Sequence, residues 1–270
     1  MNATIIDIVI LIVAGCVGGF ISGLLGVGGG IIFVPILDYF LIKKGVLTAD
    51  LVPYTLANSF FAVLVSGIVG SLPAFRSKSI NISHLILVGF SAVISVLITS
   101  YFINMGKWYS PFIFKIVFSG LLLFTLIKTM LHMETEGSDE NMGTGLSLLV
   151  GSITGIVSGL SGLGGGIVMI PLFMMFGNLP IKKASALSLA IIPVLAFPNV
   201  IYYLIIQPTQ SLSGSTGHIV WSVIIPLIIG VLMTVKSGVN AAQKMSAKTI
   251  KFIFATFIII TIFRVLASLA

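Results

Sequence analysis

The feature that most constrains this chain is a succession of long apolar blocks along its whole length. Eight blocks can be drawn, at 5–42, 51–74, 82–103, 110–131, 144–177, 184–206, 218–240 and 248–268. Most of them reach the roughly 20 residues that an α-helix needs to cross a hydrocarbon core. Only 8% of the 270 residues are charged, and the mean hydropathy is +1.21. We therefore predict an all-α, polytopic membrane protein with a single transmembrane domain over residues 1–270.

Two of the blocks, 5–42 and 144–177, are too long for one straight span, and each carries a glycine-rich phrase near its middle. The phrases read ISGLLGVGGGIIFVP at 21–35 and SGLSGLGGGIVMIP at 158–171. At an offset of 136 positions, 11 of 23 aligned residues around these phrases are identical. The repetition predicts two homologous halves, 5–131 and 144–268, joined by an acidic loop at 132–143.

The number of spans depends on how the two long blocks fold. If each block crosses once, the chain has eight spans and parallel halves; if each folds into a re-entrant hairpin, it has ten segments and inverted halves. Basic pairs occur in corresponding loops, at Lys43-Lys44 and at Lys182-Lys183. Inverted halves would place these loops on opposite faces of the membrane. We therefore favour eight spans with parallel halves, and ten segments is the alternative.

The glycines of the two phrases divide into a packing stripe and a break. Glycine recurs every fourth residue at 15, 19 and 23 and again at 151, 155 and 159, a spacing that lets membrane helices pack closely. The denser run that follows removes side chains and favours positive φ, so it predicts a break in each helix. A helix that restarts inside the protein presents its N–H groups and the positive end of its dipole to an anion.

The candidate substrate site consists of the two breaks and the polar residues near them. Asn58 is a stronger candidate than single serines, because an amide side chain is costly to bury without a function. The predicted substrate-binding residues are Ser22, Gly26, Gly28, Gly29, Gly30, Asn58, Ser59, Ser158, Gly162, Gly164, Gly165, Gly166 and Ser188.

A few other polar residues lie within or at the edges of the apolar blocks. Asp38 is the only carboxylate well within a block, and it is either an interfacial side chain or a proton-coupling group. His84 and His218 begin roughly equivalent blocks, as boundary residues or as a pH-sensitive gate. For Asn199, beside Pro198, we expect a role in local structure.

Several other classes of protein do not fit the sequence. The net charge of +7 comes from lysines and arginines mainly between the blocks, which membrane topology explains better than nucleic-acid binding. The glycines match neither a dinucleotide fingerprint nor a Walker motif. No catalytic triad or metal cluster can be identified, so we predict no enzyme activity, no cofactor and no metal. Residues 13–16 resemble a lipobox, but no lysine or arginine precedes them, and we expect a retained span there.

The sequence resembles the sulfite exporter TauE/SafE family of bacterial anion permeases. The resemblance is carried by the duplicated glycine phrase with its following proline, by the two-half layout, and by Asn58-Ser59 and Leu187-Ser188, each after a loop with two lysines. It implies a multi-pass carrier in the bacterial plasma (inner) membrane for small sulfur-containing or organic anions, such as sulfite or sulfonates. Leu187 departs from the polar residue expected before Ser188, which argues against symmetrical ligation from that position.

An exporter that works by alternating access fits these features, with rocking of the two halves exposing the anion to either side. Export of an anion from a negative cell interior is favoured by about 2.3 kcal/mol per charge per 100 mV, so it needs no coupling ion. The alternatives are an anion channel and a proton-coupled anion importer. The expected partners are the small anion and the lipid bilayer, a homo-oligomer is left open, and no nucleic acid is expected.

Overall fold

Ten α-helices and one short β-hairpin make up the part of the chain described by a computed structural model, which covers residues 5–76, 82–105, 109–131 and 142–267. The apolar blocks form helices because a helix satisfies every backbone polar group within one segment. The first half contains α1 (Ile5–Leu25), α2 (Gly30–Lys43), α3 (Thr48–Arg76), α4 (Ile82–Met105) and α5 (Pro111–Leu131). The second contains α6 (Thr144–Ser161), α7 (Gly166–Phe176), α8 (Ile181–Ile205), β1 (Ser215–Thr216), β2 (Ile219–Val220), α9 (Trp221–Lys244) and α10 (Ala247–Ala267).

Six of the described helices, namely α1, α3, α4, α6, α8 and α9, are long and apolar enough to cross a membrane. Helix α7 is apolar but has only 11 residues. Each long block is divided into two helices at its glycine run, into α1 and α2 in the first half and into α6 and α7 in the second. The prediction of eight spans is therefore not confirmed, and the helix count is that of the ten-segment alternative. The acidic loop lies largely outside the described residues.

The first long block folds back on itself. Lys43 Nζ, at the end of α2, lies 2.7 Å from Asp7 Oδ1, near the start of α1. The Phe33 ring of α2 also packs against Gly18 of α1. Both contacts require α2 to run antiparallel to α1, so residues 5–43 form a helical hairpin.

The two glycine stripes form close helix–helix seams between the halves. In the first seam α1 packs parallel to α9, with Gly15, Gly19 and Gly23 facing Leu227, Val231 and Val235. In the second seam α6 packs parallel to α4, with Gly151, Gly155 and Gly159 facing Val88, Ala92 and Val96. A side chain at most of these glycines would overlap backbone atoms of the facing helix, so close packing of the stripes is confirmed.

Helices α3 and α8 cross the centre of the molecule side by side. Gly67 faces Ile192 and Pro193, whereas Gly70, one turn further along α3, faces Leu189, one turn earlier in α8. The two helices therefore run antiparallel. We call the end of the bundle where α3 begins and α8 finishes end one, and the opposite end, where α8 begins, end two. At end one, Tyr54 Oη donates to Gln210 O at 2.7 Å and ties α3 to the loop after α8.

Candidate functional site

The two glycine breaks lie in direct contact at the centre of the bundle. Gly26, Gly28 and Gly29 have φ of 78°, 82° and 78°, and the matched glycines 162, 164 and 165 have φ of 69°, 74° and 76°. Positive φ is what glycine permits and other residues rarely adopt, so the dense glycine run is explained by backbone geometry. A Cβ on Gly30 would lie 2.6 Å from Leu163 Cα, and one on Gly166 would lie 2.6 Å from Gly26 O.

Two serines at matched positions join each break to the other half. Ser59 Oγ of α3 donates to Gly162 O at 2.6 Å, and Ser188 Oγ of α8 donates to Gly26 O at 2.8 Å. Both side chains are fully buried. A break leaves carbonyl groups without a helical partner, and each serine satisfies one of them. Each serine therefore fixes one break to the central helix of the opposite half, through pseudo-equivalent bonds.

The helices that follow the breaks begin inside the protein. Gly29 caps α2 and Gly165 caps α7, both in the left-handed conformation, and neither helix has a side-chain N-cap. The first N–H groups of a helix have no partner within that helix, and they carry the positive end of its dipole. The two buried N-termini therefore lie on adjacent, touching segments of backbone.

The serines of α1 and α6 differ in their surroundings. Ser22 Oγ donates to Ser66 Oγ at 3.1 Å, and Ser66 Oγ donates to Gly28 O at 2.9 Å. In the second half Leu195 occupies the position that matches Ser66, and the buried Ser158 hydroxyl has no hydrogen-bond partner among the described residues. Sequence reasoning missed Ser66, and it missed Ser185, whose Oγ donates to Leu25 O at 2.7 Å.

Asn58 is directed towards the loop before α9. Its Nδ2 donates to Tyr54 O at 2.8 Å and to His218 O at 2.9 Å, and its Oδ1 accepts the N–H of Val220 at 3.0 Å. These three bonds use most of the capacity of the amide. The contacts of Asn58 are those of a residue that fixes a loop, and its predicted role in binding stays a prediction.

Asp38 lies in α2, two turns beyond the break. Its Oδ2 is 4.0 Å from Lys115 Nζ of α5, and both side chains are largely buried. The pair joins the α1–α2 hairpin to α5. The coupling role of Asp38 is a prediction that these contacts neither support nor exclude.

Apolar side chains close the space beside the breaks. A Cβ on Gly28 would lie 3.0 Å from Val63 Cγ1 and 3.2 Å from Ile192 Cδ1. Val63 also packs against Gly164, so one side chain touches both breaks. Val63 and Ile192 occupy matched positions in α3 and α8 and form an apolar layer across the centre.

Two cavities lie on opposite sides of this layer. The cavity at end one has a volume of about 280 Å³ and is lined by Thr48, Ala49, Asp50, Pro53, Ile103, Asn104, Met105, Tyr109, Ser110, Gln207, Pro208, Thr209 and His218. The cavity at end two has a volume of about 150 Å³ and is lined by Gly23, Leu24, Gly70, Pro73, Ala74, Lys182, Ser185, Ala186, Leu189, Val239, Ala242, Gln243 and Ile250. The start of α3 and the end of α4 line the end-one cavity, and their counterparts in the second half, the start of α8 and the end of α9, line the end-two cavity.

The described ranges hold no cluster of three or more His, Cys, Asp or Glu side chains that could bind a metal ion. The chemistry available at the breaks is hydrogen bonding by backbone amides and hydroxyls. A bundle of apolar helices with two buried helix N-termini at its centre defines a multi-pass membrane protein.

Comparison with known proteins gives the family. The family model for sulfite exporter TauE/SafE matches residues 11–265, so the chain belongs to that family. A "Probable membrane transporter protein" of Methanocaldococcus jannaschii is 30% identical over 256 residues, covering 92% of this chain and 91% of the relative. One of Haemophilus influenzae is 26% identical over 260 residues, covering 94% and 96%.

A third relative, "Probable membrane transporter protein YunE" of Bacillus subtilis, is 26% identical over 269 residues, covering 93% of this chain and 94% of the relative. No solved structure matches the chain. The predictions of a multi-pass membrane transporter, of the TauE/SafE family and of a protein that is not an enzyme are confirmed.

Proposed function

We propose that this protein exports a small sulfur-containing or organic anion by alternating access, and that the N-termini of α2 and α7 bind the anion. The observation that carries the proposal is an imbalance of polar groups at the breaks. Serine hydroxyls already donate to Leu25 O, Gly26 O, Gly28 O and Gly162 O. Four carbonyl acceptors are thus occupied, three at the first break and one at the second, whereas the first amides of two helices offer donors. A buried site rich in donors favours an anion.

Alternating access is supported by the placement of the two cavities. Because α3 and α8 occupy matched positions and run antiparallel, we propose that the halves are inverted repeats. The two cavities are then pseudo-equivalent, at opposite ends of the bundle. The breaks and the apolar layer of Val63 and Ile192 separate the two cavities. They must therefore move if the anion is to reach one cavity while the other is closed off.

The moving bodies differ from those that the sequence led us to expect. The glycine seams pair α1 with α9 and α6 with α4, so each seam joins one half to the other. Close-packed small-residue seams resist sliding, because interdigitated backbones have few alternative registers. We propose that the α1–α9 pair and the α4–α6 pair move as units, in place of the two sequence halves.

The direction of transport follows from the charge of the cargo. An anion leaves a negative cell interior with a gain of about 2.3 kcal/mol per charge per 100 mV, so export requires no coupled cation. We expect the protein in the plasma (inner) membrane of a bacterium, where this potential is maintained.

Transport in proteoliposomes at a set membrane potential tests the proposal. Wild-type protein is compared with Gly29→Leu, Gly165→Leu and the control Gly145→Leu, a position where an added Cβ meets nothing within 4 Å. We expect saturable flux of sulfite or methanesulfonate in the wild type and the control, and loss of flux in both break variants. Size-exclusion profiles verify folding. Full transport by well-folded break variants would remove the glycine breaks from the mechanism.

A second measurement does not depend on folded variants. Wild-type protein in detergent is heated with increasing sulfite, sulfoacetate or sulfate, and a ligand that binds the native state raises the thermal midpoint. The saturation of flux with substrate separates a carrier from a channel. A requirement for an imposed pH gradient would favour the proton-coupled importer over the exporter.

A further inference from the structure

Several buried polar side chains lie on one side of the second break. Thr154, Ser158 and Asn199 are each fully buried, and their hydroxyl or amide atoms have no hydrogen-bond partner among the described residues. The Tyr203 hydroxyl is also fully buried, and within the described ranges only the Ser100 hydroxyl lies close enough to pair with it. Native proteins leave few such groups unsatisfied, and each one calls for an explanation such as an absent ligand or water. Several in one region point to a ligand.

These side chains follow a path from the second break to the cavity at end one. Leu195, Asn199 and Tyr203 are spaced by four residues in α8 and therefore share one face of that helix. Leu195 packs beside Gly165 at one end of the face, and the Tyr203 ring contacts the His218 ring, with centroids 5.6 Å apart, at the other. His218 lies on the wall of the end-one cavity. Asn199 thus lies between the break and the cavity.

Helix α6 brings further polar groups to the same break. Thr154 packs directly against Gly165, the N-cap of α7, and its buried hydroxyl is unpaired within the described ranges. Ser158 is one turn further along the same face of α6. The contact with Gly165 is made by the Thr154 methyl group, and the unpaired, fully buried hydroxyl of the same side chain lies next to it, beside the N-terminus of α7.

The first half lacks this set of donors. At the positions that match Thr154, Asn199 and Tyr203, the first half has Gly18, Gly70 and Ala74. Ser22 matches Ser158, but it is bonded to Ser66. Gly70 and Ala74 lie on the wall of the end-two cavity, where they offer no side-chain donor. The two halves thus share the same arrangement of helices but differ in the polar side chains at matched positions.

We propose that the anion binds at one asymmetric site, on the end-one side of the second break, between the N-terminus of α7 and Thr154, Ser158, Asn199 and Tyr203. This inference rests on the proposed function and narrows its binding site from both helix N-termini to that of α7. Two hydroxyl groups, a phenol, an amide and the first backbone N–H groups of α7 supply hydrogen bonds to several oxygens of one small ligand. The first break then serves to close the site from end two.

The charges around the path select the kind of anion. None of the four side chains is cationic, and the cavity through which the ligand enters carries Asp50, whose Oδ2 accepts the N–H of Gln210 at 2.7 Å. Neutral donors stabilise one negative charge better than two, and a carboxylate near the entrance disfavours a dianion. The site therefore fits a singly charged oxyanion, such as a sulfonate or a carboxylate, and rejects sulfate.

The test measures the KM for labelled methanesulfonate and acetate in proteoliposomes made from full-length protein, with sulfate as the dianion. Thr154→Val and Tyr203→Phe remove hydroxyl groups at nearly constant volume. Their matched controls are Thr99→Val, whose hydroxyl bonds its own helix at Ser95 O, and Tyr202→Phe, the neighbour in sequence. Loss of a hydrogen bond to a charged ligand predicts an increase in KM of about 10-fold in each site variant. The controls are expected to stay near the wild type.

Three results would overturn the proposal. These are an unchanged KM in both site variants, an increased KM in Ser22→Ala but not in Thr154→Val, or transport of sulfate equal to that of methanesulfonate. The glycine-break variants test the proposed function independently of these results. They are expected to abolish flux whichever of the two breaks binds the ligand. Binding of labelled methanesulfonate to detergent-solubilised protein gives the same comparison if a variant transports too slowly for a KM.

Discussion

The hydrogen bonds of Ser59 and Ser188 offer a direct measure of how strongly each break is held to the opposite half. Replacing either serine by alanine leaves a buried carbonyl, Gly162 O or Gly26 O, without its donor. The bonds are short, at 2.6 and 2.8 Å, and both side chains are fully buried. An unsatisfied buried acceptor costs about 1–3 kcal/mol. We expect each single variant to lose about that amount of unfolding free energy.

The two losses are not expected to be independent. Ser59 fixes the second break to α3, and Ser188 fixes the first break to α8. The two breaks touch each other, so loosening one of them loosens the surface against which the other packs. Neighbouring groups in one network show coupling energies of about 0.5–3 kcal/mol. A double-mutant cycle of Ser59→Ala and Ser188→Ala should therefore depart from additivity by more than about 0.5 kcal/mol.

The assay is unfolding by titration with a denaturing detergent in mixed micelles, followed by circular dichroism. Two controls separate this effect from the loss of any serine hydroxyl. Ser71→Ala removes a hydroxyl that bonds within its own helix, to Ile68 O, and Ser158→Ala removes an unpaired one. We expect both to be nearly neutral. The reasoning fails if Ser59→Ala and Ser188→Ala are as stable as these controls.

Three further perturbations test other parts of the structure. Gly15→Ala places a methyl group against the backbone of α9 and should destabilise the protein by about 1–3 kcal/mol, whereas Gly145→Ala, with open space around it, should be neutral or stabilising in the same titration. Lys43→Asp should lower the thermal midpoint by opposing the largely buried Asp7, and adding Asp7→Lys should restore part of the loss; no restoration would contradict the hairpin. Burial lowers the pKa of His218 below its usual value of 6.5, against the opposing charge of Asp50. The unfolded state then binds the proton first, so the thermal midpoint should fall as pH drops below about 6.5, and His218→Gln should flatten this dependence.

The glycine runs could be interpreted from the sequence because glycine has few reasons to be dense in an apolar block. The stripe spacing indicated helix packing, and the denser run indicated positive φ; the seams and the φ angles agree with both. The phrase also carried the family resemblance, since its two copies lie at matched places in the chain. Local pattern was sufficient for these features because they depend on the backbone of a single segment.

Whether each long block forms one span or a helical hairpin could not be derived from such a local pattern. The contact between Asp7 and Lys43 shows that α1 and α2 form a hairpin, and it joins residues 36 positions apart. The comparison of basic loops counted Lys43 as a topological signal, although its ammonium group is engaged by a carboxylate.

The polar contacts between different helices could not be predicted from the sequence either. Ser66 and Ser185 look like ordinary serines of membrane helices, and only the packing of α3 and α8 against the first break gives them carbonyl partners. Asn58 attracted attention because a buried amide is costly, and the structure meets that cost with three hydrogen bonds to the protein. Burial cost identifies a residue that must have partners, but it does not identify the partners.

The crossing of the glycine seams between halves has a consequence for the origin of the chain. Helix α1 packs its stripe on α9, and α6 packs its stripe on α4, so neither half covers its own stripe. A half-length ancestor folded alone would have left that surface bare. Two copies of such an ancestor could have covered both stripes by exchanging their first helices, which makes a homodimer the natural precursor. Gene fusion would then have allowed the two copies to diverge, and a difference such as Gly18, Gly70 and Ala74 against Thr154, Asn199 and Tyr203 is one that an identical pair could never acquire.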